Sequence, residues 1–126
     1  MSEMVDSILD GTKKALGIES DYDHFDPELI MHINSVFMVL YQLGVGPDDP
    51  FQIESEDNTW DEFLSDRLNV EAVKSYVYLR VRLIFDPPTT SFVGDSYQKM
   101  IDEYEWRLTV GAETPALGGE ENEDVS

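Results

Sequence analysis

The chain has 126 residues, 41% of them hydrophobic, and no cysteine. That length suits one domain with a modest core, and the missing cysteine excludes disulfides, thiolate nucleophiles and Cys-based zinc sites. Eight basic residues against twenty-seven acidic ones leave a formal net charge of −19, which excludes a protein that grips nucleic acid through phosphate contacts over most of its surface. The acid either keeps a small protein dissolved or lines a surface that DNA must pass without sticking. No apolar run approaches the ~20 residues needed to span a bilayer. The start, Met1-Ser2-Glu3-Met4-Val5-Asp6, lacks the basic and apolar stretches of a secretory signal, so synthesis and use in a cytoplasm, away from membranes, is expected.

In chain order, Val5, Ile8, Leu9, Thr12 and Leu16 recur at helical spacing and predict a first helix from about Ser2 to Leu16. Gly17 followed by Ile18 reads as its C-terminal cap, and Lys13 and Lys14 suit the negative end of the helix dipole. After an acidic stretch from Glu19 to Asp26, Asp26-Pro27 predicts the start of a second helix, with Asp26 as cap. It continues to about Leu43 and stops at Gly44. Leu29, Ile30, Ile33, Val36, Phe37, Leu40 and Leu43 form its core face, while Met31, Met38, Val39 and Tyr41 add apolar surface elsewhere. Such a helix is either central or keeps one face for a partner.

Gly44 to Asn58 is rich in Gly, Pro and Asp and predicts a long irregular loop, with Phe51-Gln52-Ile53 as a short extended piece. Loops of that length are often functional. Thr59-Trp60-Asp61-Glu62 is a capping box and predicts a short helix to about Leu64. Asn69 reads as the cap of a further helix from Val70 to Phe85, closed by Asp86-Pro87-Pro88. The last helix is expected from about Ser91 to Leu108, along Val93, Tyr97, Met100, Ile101, Tyr104 and Leu108. From Gly111 to Ser126 the chain has no Lys or Arg and no periodicity, and reads as a disordered acidic tail. The expected fold is all-α: a bundle of about four main helices over residues 1–110, followed by a tail over 111–126.

A search for chemistry finds no convergent set. His24 sits among Asp21, Asp23 and Asp26, yet the glycine and final glutamate of a calcium loop are missing, so a solvated acidic loop is the reading. Gly44-Val45-Gly46-Pro47 lacks the Lys-Ser/Thr of a phosphate loop, and no serine sits in a Gly-x-Ser-x-Gly elbow. His32 reads as a boundary or interface residue. No enzyme activity, metal or cofactor is expected. The cations are more informative. Lys74, Arg80 and Arg82 lie on one predicted helix, with Arg67 just before it. They either dock an acidic neighbour or balance charge within the fold, Arg80 being near the apolar face. Among the aromatic residues, Trp60 is expected in the core and Trp106 off the strict stripe of the last helix. The candidate interface set is Phe51, Ile53, Lys74, Arg80, Arg82 and Trp106.

Several stretches carry a resemblance: Ile30-Met31-His32-Ile33-Asn34-Ser35, Gln42-Leu43-Gly44-Val45-Gly46-Pro47, Trp60 with Phe63, Glu105-Trp106-Arg107-Leu108, and the most specific one, Glu71 to Pro88, with its core Tyr76-Val77-Tyr78-Leu79-Arg80-Val81-Arg82-Leu83-Ile84-Phe85-Asp86-Pro87-Pro88. Together, over roughly Val5 to Thr109, the chain resembles the head–tail connector proteins of long-tailed phages that infect Gram-positive bacteria. The resemblance implies a structural virion protein at the neck: a ring of about twelve copies below the portal. Such a ring extends the DNA channel and docks the next connector or the tail, and DNA passes through it without specific binding. The high charge predicts a monomer before assembly, with docking ordering the 44–58 loop or the chain ends. Two other readings are weighed beside it: an acidic DNA mimic that inhibits a host DNA-binding protein, and a phage assembly chaperone.

Overall fold

The computed structural model describes residues 6–64 and 67–113, apart from the side chains of Arg67, Leu68, Ala112 and Glu113. Val5 and the segment 114–126, the greater part of the expected tail, lie outside the described residues. The fold is all-α, with five helices among the described residues: α1 (Ile8–Ala15), α2 (Asp26–Gln42), α3 (Trp60–Phe63), α4 (Arg67–Phe85) and α5 (Ser91–Glu113). The one β feature among the described residues is an isolated antiparallel bridge between Ser7 and Thr59.

The helix ends follow local chemistry, with four departures from the sequence expectation. α1 starts at Ile8 rather than Ser2, because Ser7 is extended and its Oγ accepts from the Asp10 N–H at 3.1 Å. Asp6 and Ser7 instead run beside residues 58–60: Ile8 N–H donates to the Asn58 carbonyl and Trp60 N–H to that of Asp6. α2 opens after Phe25, and Asp26 is not its cap. That carboxylate is taken by Lys13, 2.9 Å away and only 1% exposed, whose Nζ also donates to the Ser20 carbonyl. α4 begins at Arg67 and runs through Asn69, since the penalty for asparagine inside a helix, roughly 0.7 kcal/mol or less, is too small to stop it. α5 passes Leu108 and includes Gly111. The predicted stops at Gly17 and Gly44 stand as drawn. Both have φ above +75°, and Ile18 and Val45 donate back to the carbonyls of Lys13 and Leu40, the Schellman arrangement.

The core is drawn from every element. Ile8 and Leu9 of α1 meet Leu29, Ile33, Val36, Phe37 and Leu40 of α2, and Val70, Val73, Tyr76, Val77 and Val81 of α4. α4 packs against both α2 and α5, and α1 lies across α2 and α4. Tyr76 and Arg80 of α4 reach Glu105 on α5, whereas Tyr78 meets Trp60 and Phe85 meets Phe25. At about 100° per residue these two pairs point to different sides of α4, so the side that meets Trp60 and Phe25 is not the side that meets α5.

The 44–58 loop is held in place within the single subunit. Asn34 on α2 acts as a surrogate strand neighbour: its Oδ1 accepts from Ile53 N–H at 2.7 Å and its Nδ2 donates to Ile53 O at 3.1 Å. The expected extended piece at Phe51–Ile53 is therefore bound to a side chain, not to a strand. Phe51, Trp60 and Phe63 then gather around Phe37, with ring centroids 4.7–6.0 Å away. Asn58 Oδ1 closes the loop by accepting from Glu54 and Ser55 N–H. At Thr59 the capping box is formed with Glu62.

Replacing Asn34 by Leu leaves two backbone groups of Ile53 unpaired, and each orphan costs about 1–3 kcal/mol. Asn34→Leu should lower the melting temperature and speed proteolysis within 44–58; equal melting and cleavage would show that the loop stands without this clamp. Gly46 has φ +99°, and a Cβ there would lie 2.5 Å from Phe63 Cε1. Gly46→Ala should cost about 1–3 kcal/mol in urea denaturation, and a neutral result would mean that the Phe63 ring gives way freely.

Candidate protein–protein interface

The cations of α4 are largely committed inside the fold. Lys74 Nζ lies 2.7 Å from Asp6 Oδ2 and 3.3 Å from Glu71 Oε2. Arg80 Nη1 donates to Glu105 Oε2 at 2.9 Å and to the Tyr76 hydroxyl at 3.2 Å, while that hydroxyl donates to the same carboxylate oxygen at 2.7 Å. The guanidinium carbon also lies 5.6 Å from the centroid of the Tyr76 ring. Arg82 is the least satisfied of the three. Its Nη2 is 3.9 Å from Asp86 and its Nε has no acceptor among the described residues. Arg67's side chain lies outside the described residues.

The other candidates divide cleanly. Ile53 is buried and Phe51 half-buried, both within the interior of the subunit. Trp60 is fully buried, in line with the expectation of a core residue. Trp106 is 67% exposed on α5, outside the core formed by the described residues. Two groups of exposed apolar side chains join it: Phe92 (79% exposed) and Met100 on α5, and Met31 (61% exposed), Met38 and Tyr41 on α2. The apolar side chains of α2 outside its core face were legible in the sequence. Phe92 and Asn34 were not singled out. Phe92 precedes the strict α5 stripe by one position, and the 92–99–106 recurrence at seven-residue spacing is the sign that marks it.

Among the described residues, no group of three or more His, Cys, Asp or Glu side chains converges as a metal site. The His24 ring instead packs 5.0 Å from Phe25. His32 Nε2 stands 3.5 Å from Glu28 on the same helix. A cavity of about 240 Å³ between the end of α2 and the end of α5 is lined by Gly44, Val45, Gly46, Leu64, Asn69, Leu108 and Gly111, a lining without acid, base or nucleophile. No described helix is long and apolar enough to cross a membrane.

The family model for phage connector proteins matches residues 8–115. The chain belongs to the phage connector protein family. No curated protein and no solved structure matches it. The match takes in all five helices of the connector, and membership makes it a structural connector that works with other phage head or tail proteins in the particle.

In the connector, the α4–α5 contact carries a polar clamp with a pH signature. Burial, and then the hydrogen bond to Glu105, push the Tyr76 pKa up from 10.0, against the opposing pull of Arg80. Burial also raises Tyr78 from 10.0. For Lys74, burial alone lowers the pKa, but Asp6 and Glu71 together raise it above 10.5. In the unfolded chain the two phenols release their protons near pH 10, whereas the folded chain keeps them. This stability is fully present below that pH and is lost as pH rises above it. The urea midpoint should fall between about pH 8 and about pH 11, and fall less steeply in Tyr76→Phe. Parallel slopes for the two proteins would show that Tyr76 does not titrate differently on folding.

Proposed function

We propose that this connector is a non-enzymatic neck subunit. It forms a ring below the portal, extends the DNA channel and docks the next connector or the tail. The family match over residues 8–115 carries the reading. The distribution of charge supports it. The exposed carboxylates of Asp48, Asp49, Glu54, Glu56, Asp57, Asp61 and Glu62 follow one another with no Lys or Arg from Gly44 to Leu64. A wall of such groups repels phosphate, so DNA slides past without binding. About twelve copies suit a ring of this kind, and the mutual repulsion of chains charged −19 keeps them apart before the portal gathers them.

Of the six candidate interface residues, Trp106 and Arg82 are the ones offered to partners in this reading. Lys74 and Arg80 hold α4 to Asp6 and to α5, and Phe51 and Ile53 hold the loop. The acidic-mimic reading is less favoured, because its carboxylates would need to follow the regular phosphate spacing of a duplex.

The test is mass spectrometry of purified particles with immunogold labelling, together with a phage lacking the chain. The chain should appear at the neck in a small fixed copy number, and its loss should leave filled heads and free tails. Absence from complete particles would reject the neck reading in favour of a chaperone or an inhibitor.

A further inference from the structure

Two surface strips differ from the rest of this strongly acidic chain. From Leu29 to Pro47 the sequence has no Asp, Glu, Lys or Arg. On α2, Met31, Ser35, Met38 and Gln42 are exposed along one line. At about 100° per residue they point roughly opposite to buried Leu29, Ile33, Val36 and Leu40. On α5, Ile101 and Leu108 are the only buried side chains among the described residues. Phe92, Ser96, Lys99, Glu103 and Trp106 recur at three- and four-residue steps and point roughly opposite to that pair. The α5 strip carries Lys99 and Glu103, with Asp95 and Asp102 beside it on the same surface, so it is mildly acidic, whereas the α2 strip has no charge to repel it.

The two strips lie on different helices, and each points away from the buried side chains of its own helix, so one subunit carries two distinct outward surfaces. Copies charged −19 can approach closely only where like charges do not meet, and the two strips satisfy that condition. Two different, outward-facing surfaces on one molecule make a head-to-tail contact, which closes into a ring when the rotation between successive copies returns to the first; a two-fold pair would use one surface twice. The unbranched methionines of the α2 strip, Met31 and Met38, adapt to large side chains such as Phe92 or Trp106.

We propose that the α5 strip of one copy packs against the charge-free α2 strip of the next, so that each subunit extends the helical layer of its neighbour. This deepens the ring reading and rests on it.

The chain has no cysteine of its own, so introduced thiols report without background. Particles carrying the double variant Met38→Cys/Ser96→Cys are treated with a long-armed bis-maleimide, and the chain is counted in the same particles by mass spectrometry. The expected result is a ladder of dimers, trimers and larger species. Each single variant should stay monomeric, and the two single variants co-expressed should give dimers and nothing larger. Ser35→Cys/Lys99→Cys, one step along both strips, repeats the test should the first pair disturb assembly. Crosslinking of Met38→Cys alone would overturn the proposal in favour of a two-fold contact. Absence of a ladder from both pairs, with the chain present in fixed copy number, would overturn it and leave the ring reading standing. Absence of the wild-type chain from particles would remove both.

Discussion

The fold depends on one side chain that serves as a strand. Asn34 pairs with both backbone groups of Ile53, and this lays an irregular fifteen-residue loop across α2. Once the loop is there, Phe51 and Ile53 close over the helix and Trp60 and Phe63 reach Phe37. A loop laid over a core must have its backbone donors and acceptors satisfied, or each orphan erodes the apolar gain. Asn34 meets that need at the point of deepest burial, and the remaining segments are tied by Asn58 and the Thr59–Glu62 cap.

A second constraint is charge. With few cations available, the protein spends several on internal joints. Lys13 holds Asp26 and the Ser20 carbonyl, Lys74 holds Asp6, and Arg80 joins Tyr76 and Glu105. Each of these links one element to another: α1 to α2, the chain start to α4, and α4 to α5. Within the subunit, Lys74 and Arg80 of α4 are thus paired with the chain's own acid. Partly exposed pairs such as Arg80–Glu105 are screened by water, so their value lies as much in orienting the helices as in energy.

What remains on the outside is segregated. Carboxylates crowd the loops on either side of α2, while the outer line of α2 is uncharged and partly apolar and that of α5 exposes Phe92 and Trp106. For a member of the phage connector family, this separation suits a part that must meet other proteins along some surfaces and repel phosphate along others. Repulsion and adhesion need different residues, and a single small domain achieves both by keeping them on different faces.

The sequence alone determined the helical class, the two glycine stops, the capping box and the family, because these rest on periodicity, backbone sterics and strings of neighbouring residues. It also placed Trp60 in the core and showed that α2 carries more apolar surface than one face needs. The start of α1 at residue 8 and the use of the Asp26 carboxylate were decided by partners distant in sequence, residues 58–60 for the one and Lys13 for the other. The same holds for the roles of the candidate residues. Lys74, Arg80 and Arg82 look alike as a string, but only the three-dimensional neighbours Asp6 and Glu105 separate two internal braces from a looser surface cation. Phe51, Ile53 and Trp106 look alike as exposed-loop or helix-edge hydrophobics, and the folding of the loop over α2 turned the first two inward and left the third on the surface. Local patterns specify local geometry, whereas which side chain is left over for a partner is known only after every internal contact has been made.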